Sequence, residues 1–215
     1  MTSRALRGAA AAGAVAALIS IVTSLAVPAG LVSDDSSPTW NSIDLVTDVL
    51  LVAGLAGFAA SGAARGRLAR IGLSLAFAGL TVFALAAVLG FSNASAGETL
   101  HPVSVPLTGI GMVAAGVATI RTGYWTGWRR LAPLLCGIVP FVVELPGFIA
   151  FGDSTILHFF IACTWTAWLS LFTALWITAA AVTPARSGGA TTAVAVTAGP
   201  ARTSATSAFG PTHRP

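Results

Sequence analysis

One run of the chain sets a carboxylate inside an apolar stretch between two prolines: Pro140, Phe141, Val142, Val143, Glu144, Leu145, Pro146, Gly147. Each proline lacks an amide proton and leaves the carbonyl four residues before it without its helical partner, so the segment is expected to kink or break around Glu144. A carboxylate beside unpaired carbonyls at an interrupted helix is how membrane transporters build cation and proton sites. The plainer alternative is a carboxyl hydrogen-bonded to a neighbouring helix.

Other side chains with chemical capacity fall on the same side of the chain's organisation. Asp44 and Asp48 are four apart and share one helix face. Asp44, beside Asn41 and Ser42, reads as first-turn charge favoured by the helix dipole. Asp48 is one turn deeper and is expected in a polar pocket with Glu144. His101 precedes Pro102, and His158 follows Asp153 and Ser154 in the first turn of the last apolar run. The sequence thus predicts an ion- or solute-binding site from Glu144, Asp48, His101 and His158, against the alternative of ordinary interfacial polar residues. No His-x-x-x-His or His-Glu-x-x-His spacing is present, so no metal is expected. Phosphate-loop, dinucleotide and nucleophile-elbow motifs are absent too, and neither a cofactor nor a catalytic residue is assigned. Cys136 and Cys163 sit in apolar runs at opposite depths, which reads as two small buried side chains and not as a disulfide.

The elements that must position these residues follow from composition. Of 215 residues, 55% are hydrophobic and 8% charged, whereas soluble domains carry about 25% charged residues. Such a chain has lipid as its solvent. All 11 basic residues are arginines, set against 7 acids. They lie in short connectors between apolar runs, where orientation explains them and nucleic-acid binding does not.

A hydrocarbon core about 30 Å thick is crossed by about 20 apolar helical residues, and six stretches qualify, at about 6–27, 43–63, 71–91, 103–120, 131–151 and 155–182. The fold class is therefore an all-α polytopic membrane bundle of six transmembrane helices over residues 1–183. The remainder, 184–215, is rich in Ala, Thr, Gly, Ser and Pro and is expected to be a disordered cytoplasmic tail. If spans alternate, Arg4, Arg7, Arg65, Arg67, Arg70, Arg121, Arg129, Arg130, Arg186, Arg202 and Arg214 all fall on one side, with both termini. Short basic loops stay cytoplasmic, so that side is inside. The other side receives Asp34, Asp35, Asp44, Glu98 and Asp153, and Glu144 lies roughly 13 Å below it at helical rise. A competing reading takes the first run as a signal peptide cleaved after Ala29, which leaves five spans; the run is longer than the usual apolar core of such peptides.

Small residues at every fourth position mark packing surfaces: Gly8, Ala12, Ala16, Ser20 and Ser24 in the first span, Ala53, Gly57 and Ser61 in the second, Gly111 and Ala115 in the fourth. Trp40, Trp125 and Trp128 are expected as interfacial anchors, and Trp165 and Trp168 as bundle packing.

The stretches Leu107 to Val113, Ala118 to Gly123 and Gly127 to Gly137 resemble uncharacterised multispan membrane proteins of actinobacteria. Arginine without lysine suits the same GC-rich origin. The resemblance covers spans four and five. It implies a bacterial plasma membrane and carries no activity or functional residue. The leading functional expectation is a small transporter-like or solute-binding bundle with an outward-facing acidic pocket, in which Glu144 responds to an ion or proton. The alternatives are a non-catalytic accessory protein acting through helix contacts with a partner membrane protein, and an intramembrane metal-dependent enzyme.

Overall fold

The computed structural model describes residues 2–31, 38–152 and 155–181. The chain divides into two units, Met1–Pro184 and Ala185–Pro215. The second, which holds nearly all of the expected tail, lies outside the described residues, as do Asp34, Asp35 and Asp153.

Because hydrocarbon offers the backbone no hydrogen-bond partner, each crossing segment closes its bonds within itself as a helix. The helices are α1 (Ser3–Ala26), α2 (Pro38–Ala60), α3 (Arg67–Gly90), the short α4 (Ala94–Glu98), α5 (His101–Thr122), α6 (Ala132–Val139), α7 (Leu145–Phe151) and α8 (Leu157–Ala181). A 3₁₀ turn, Gly127–Leu131, leads into α6, and a π turn, Pro140–Glu144, joins α6 to α7. Among the described residues six segments are long and apolar enough to cross a membrane; the fifth comprises the 3₁₀ turn, α6, the π turn and α7 together. The protein is an all-α, multi-pass membrane bundle.

Local chemistry sets the ends. Thr2 caps α1 by accepting from the Ala5 amide at 3.3 Å, and Asn93 does the same for α4. At the close of α5, Arg121 lies in the last turn and Gly123 adopts φ +63°, the left-handed stop that a side chain disfavours. Pro106 sits inside α5 without interrupting it. Pro38 opens α2 where a missing amide has no cost, so α2 starts earlier than its apolar run suggested.

The crossing segments form a closed ring in chain order. α1 packs on α2, α2 on α3, α3 on α5, α5 on α6, α6 on α8, and α8 returns to α1. The closest approaches use glycine. A Cβ added at Gly111 would lie 2.6 Å from the Gly72 carbonyl oxygen, and one at Gly72 would lie 2.7 Å from that of Gly111. The backbones of α3 and α5 therefore touch. Elsewhere Gly13 of α1 and Gly54 of α2 form a cradle for the fully buried Phe172 ring of α8. The expected small-residue stripes are used only in part. Ala16, Ser20 and Ser24 face inward, Gly57 meets Ala9, and Gly111 and Ala115 are buried, but Gly8 and Ala53 are exposed.

The arginine-bearing ends of the helices are tied together. Thr122 Oγ1 donates to the Ala63 carbonyl at 2.7 Å, and Trp125 packs on Phe58 with ring centroids 5.5 Å apart. Trp125 is 2% exposed, which corrects its assignment as an interfacial anchor. Gly123 and Gly127, both at positive φ, turn the connector so that the indole points inward, whereas Trp128 stays exposed.

Gly111→Leu is expected to lower stability by roughly 3 kcal/mol through overpacking at a backbone contact. Gly8→Ala, with nothing within 4 Å of the added carbon, should raise it by about 0.5 kcal/mol through helix propensity. Unfolding midpoints in graded SDS–detergent mixtures read both; an equal effect at the two positions contradicts the glycine contact.

Candidate functional site

The prolines on either side of Glu144 shape the fifth segment without breaking it. Pro140 opens the π turn, and the Leu145 amide donates to the Pro140 carbonyl, five residues back. One extra residue in the turn absorbs the missing amide hydrogens, so the segment continues as α6, π turn and α7. Of the two outcomes expected around Glu144, a kink or a break, the α-helical ladder is interrupted locally and the segment runs on. A π turn inside a helix is uncommon and concentrates at functional sites, because it re-aims one side chain.

Here the re-aimed side chain is Glu144. Its Oε2 accepts a hydrogen bond from Thr164 Oγ1 of α8 at 2.7 Å. Thr164 is buried and Glu144 half-buried. At helical rise Glu144 lies about 10 Å from the Phe151 end of α7, and Thr164 about 10 Å from the Leu157 end of α8. The other hydroxyls of α8 all bond within their own helix: Thr166 to Ala162, Ser170 to Ala167, Thr173 to Leu169 and Thr178 to Ala174, at 2.7–2.8 Å. Thr164 is the one that reaches across. Two further contacts join these segments: Cys136 Sγ donates to the Ala167 carbonyl at 3.3 Å, and Gly147 lies against the Phe160 ring.

The remaining predicted residues are spread around the bundle. Asp48 is 7% exposed on α2, and no hydrogen bond reaches its carboxylate among the described residues. The neighbouring Thr47 hydroxyl is buried and likewise lacks a partner. Asp44, one turn above, is exposed. α2 does not touch the fifth segment, so Asp48 and Glu144 stand on helices that are not neighbours and form no direct pair. His101 is exposed and meets Phe83 of α3 edge-on, with centroids 5.4 Å apart. His158 is half-buried in the first turn of α8, six residues before Thr164. Among the described residues no three His, Cys, Asp or Glu side chains gather as a metal site.

What these positions share is depth. Among the described residues the buried polar ones are Ser20 and Ser24 of α1, Thr47 and Asp48 of α2, Ser104 and Thr108 of α5, Thr164 of α8, and Thr119 of α5. With alternating helices, all except Thr119 occupy the half of the bundle away from the arginines. Ser20 and Ser104 satisfy themselves on their own helices, to Ala16 and His101. The hydroxyls of Thr47 and Thr108 do not. Sequence reasoning missed Thr47, Thr108 and Thr164, because a threonine in an apolar run carries no signal of which helix it faces.

No family model, curated protein or solved structure matches the chain.

The Glu144–Thr164 bond is tested by a double-mutant cycle of Glu144→Ala and Thr164→Val on unfolding free energy. A coupling of roughly 1 kcal/mol is expected for an interhelical hydrogen bond in a bilayer; additivity of the two losses contradicts the bond.

Proposed function

We propose that this chain is a small transporter-like or solute-binding protein of a bacterial plasma membrane, with both termini cytoplasmic, and that Glu144 is its ion- or proton-responsive group. The observation that carries the reading is a membrane-embedded carboxyl at a π turn, aimed across an interface at a threonine hydroxyl. An ionisable side chain at such depth is costly and marks function by default. Asp48, buried and without a hydrogen bond among the described residues, and the unpartnered Thr47 hydroxyl belong to the same polar half. They supply further oxygen donors for a small polar solute or cation. His101 and His158 stand nearer the mouth of that half, where they meet an entering solute first.

Orientation supports an outward-facing site, since the polar half lies opposite the arginines that mark the cytoplasmic side. The resemblance of spans four and five to actinobacterial membrane proteins is consistent with that location. The packing of α1 against both α2 and α8 supports retention of the first span in place of cleavage.

A second reading, an accessory protein acting through helix contacts, is favoured by one observation: the Glu144 carboxylate already has an interhelical partner. The inward-facing Ala16, Ser20 and Ser24 weigh against it, because a docking stripe would face lipid.

Proteoliposome flux of protons and common cations separates the two. Glu144→Gln, which keeps shape and a hydrogen-bond acceptor but cannot ionise, is expected to lower flux by about tenfold or more while the protein remains folded. Wild-type flux no greater than that of empty liposomes removes support for proton and common-cation transport and turns the search to other solutes, then to a partner.

A further inference from the structure

At the arginine end, between α2 and α3, lies a surface groove of about 390 Å³ lined by Arg65, Arg70, Ala59, Ala69, Leu73 and Phe77, among others. We propose that it binds an anionic phospholipid, with the phosphate between Arg65 and Arg70 and an acyl chain along Leu73 and Phe77.

The lining is charged at one end and apolar at the other. Arg70, Leu73, Ser74 and Phe77 recur at helical spacing on one face of α3, a stripe about 10 Å long running from the membrane surface into the hydrocarbon. A phospholipid has the same order of chemistry along its length. Charge complementarity selects an anionic head group: Arg65, Arg67 and Arg70 cluster within six residues, while Asp44, Asp48 and Glu144 lie toward the opposite end of the bundle.

Arg65 is also held in position. Its guanidinium lies 5.8 Å over the Tyr124 ring, and its Nη2 lies 2.7 Å from where a Cβ of Gly62 would stand. The missing side chain at Gly62 leaves room for that pose. The amino end of α3 opens beside it, with Gly66 providing no side-chain cap. A second groove across α3 shares Arg70 and Ser74 with the first but lacks a fixed arginine, so the site is assigned to the α2–α3 side.

The inference goes beyond the Glu144 reading and does not depend on it. Native mass spectrometry of the full chain in detergent, titrated with phosphatidylglycerol or phosphatidylcholine, tests it. A single phosphatidylglycerol adduct is expected at about twentyfold lower concentration than a phosphatidylcholine adduct. Arg65→Gln and Arg70→Gln should each weaken it about fivefold and together about twentyfold. Arg130→Gln, an exposed arginine of the other connector, should leave it within about twofold. Equal binding of the two lipids to wild type, which needs no variant to fold, overturns the proposal. An equal loss in Arg130→Gln does so as well, as does displacement of the lipid by millimolar inorganic phosphate, which would make this a free-anion site.

Discussion

In hydrocarbon a backbone amide or carbonyl without a partner costs several kcal/mol, and this governs the rest of the structure. It makes every crossing segment helical and makes a proline within one a local problem. Pro38 and Pro106 avoid the problem or are absorbed by α2 and α5. Pro140 and Pro146 bracket Glu144 too closely for that, and the backbone answers with a π turn. The same adjustment that restores the ladder turns a carboxyl toward α8. The candidate site is thus a product of backbone satisfaction as much as of side-chain choice.

Lipid also removes most of the hydrophobic drive between helices, so cohesion depends on contact distance. Glycine pairs supply it at α3 and α5, and the Gly13–Gly54 cradle draws Phe172 into the middle of the ring. This cohesion divides the bundle along its length. Toward the arginines the interior is filled by Trp125, Phe58 and Leu175 and tied by Thr122 to Ala63. Toward the other end, buried hydroxyls and Asp48 join the interior. The interior is thus polar at one end and packed with large apolar side chains at the other.

Most of the architecture was legible because it is local. Span length, connector charge and the prolines around Glu144 can be read from consecutive residues, and each segment formed where its apolar run lay, with ends shifted by caps and by Pro38. What was illegible depends on pairing. Trp125 looks like an interfacial anchor beside Arg129 and Arg130 until Gly123 and Gly127 turn it inward. Gly8 and Gly13 are equally plausible contacts in one dimension, yet one faces open space and the other Phe172. For the site, the prolines around Glu144 and the position of Asp48 one turn beyond Asp44 were readable from spacing; their separation onto helices that do not touch, and the choice of Thr164 as partner, were not.

That choice has a consequence for how Glu144 can act. A threonine hydroxyl inside a helix has a standing alternative acceptor, the carbonyl one turn back, and Thr166, Thr173 and Thr178 use it. Thr164 forgoes it for Glu144. If a proton or cation takes over the carboxylate oxygen, the hydroxyl can rotate to its own helix and remain satisfied, so the cost of exchange falls on no orphaned group. An amide or arginine partner would have no such fallback and would hold the carboxylate fixed. The pairing therefore orients Glu144 across the interface while leaving the threonine hydroxyl a second acceptor on its own helix.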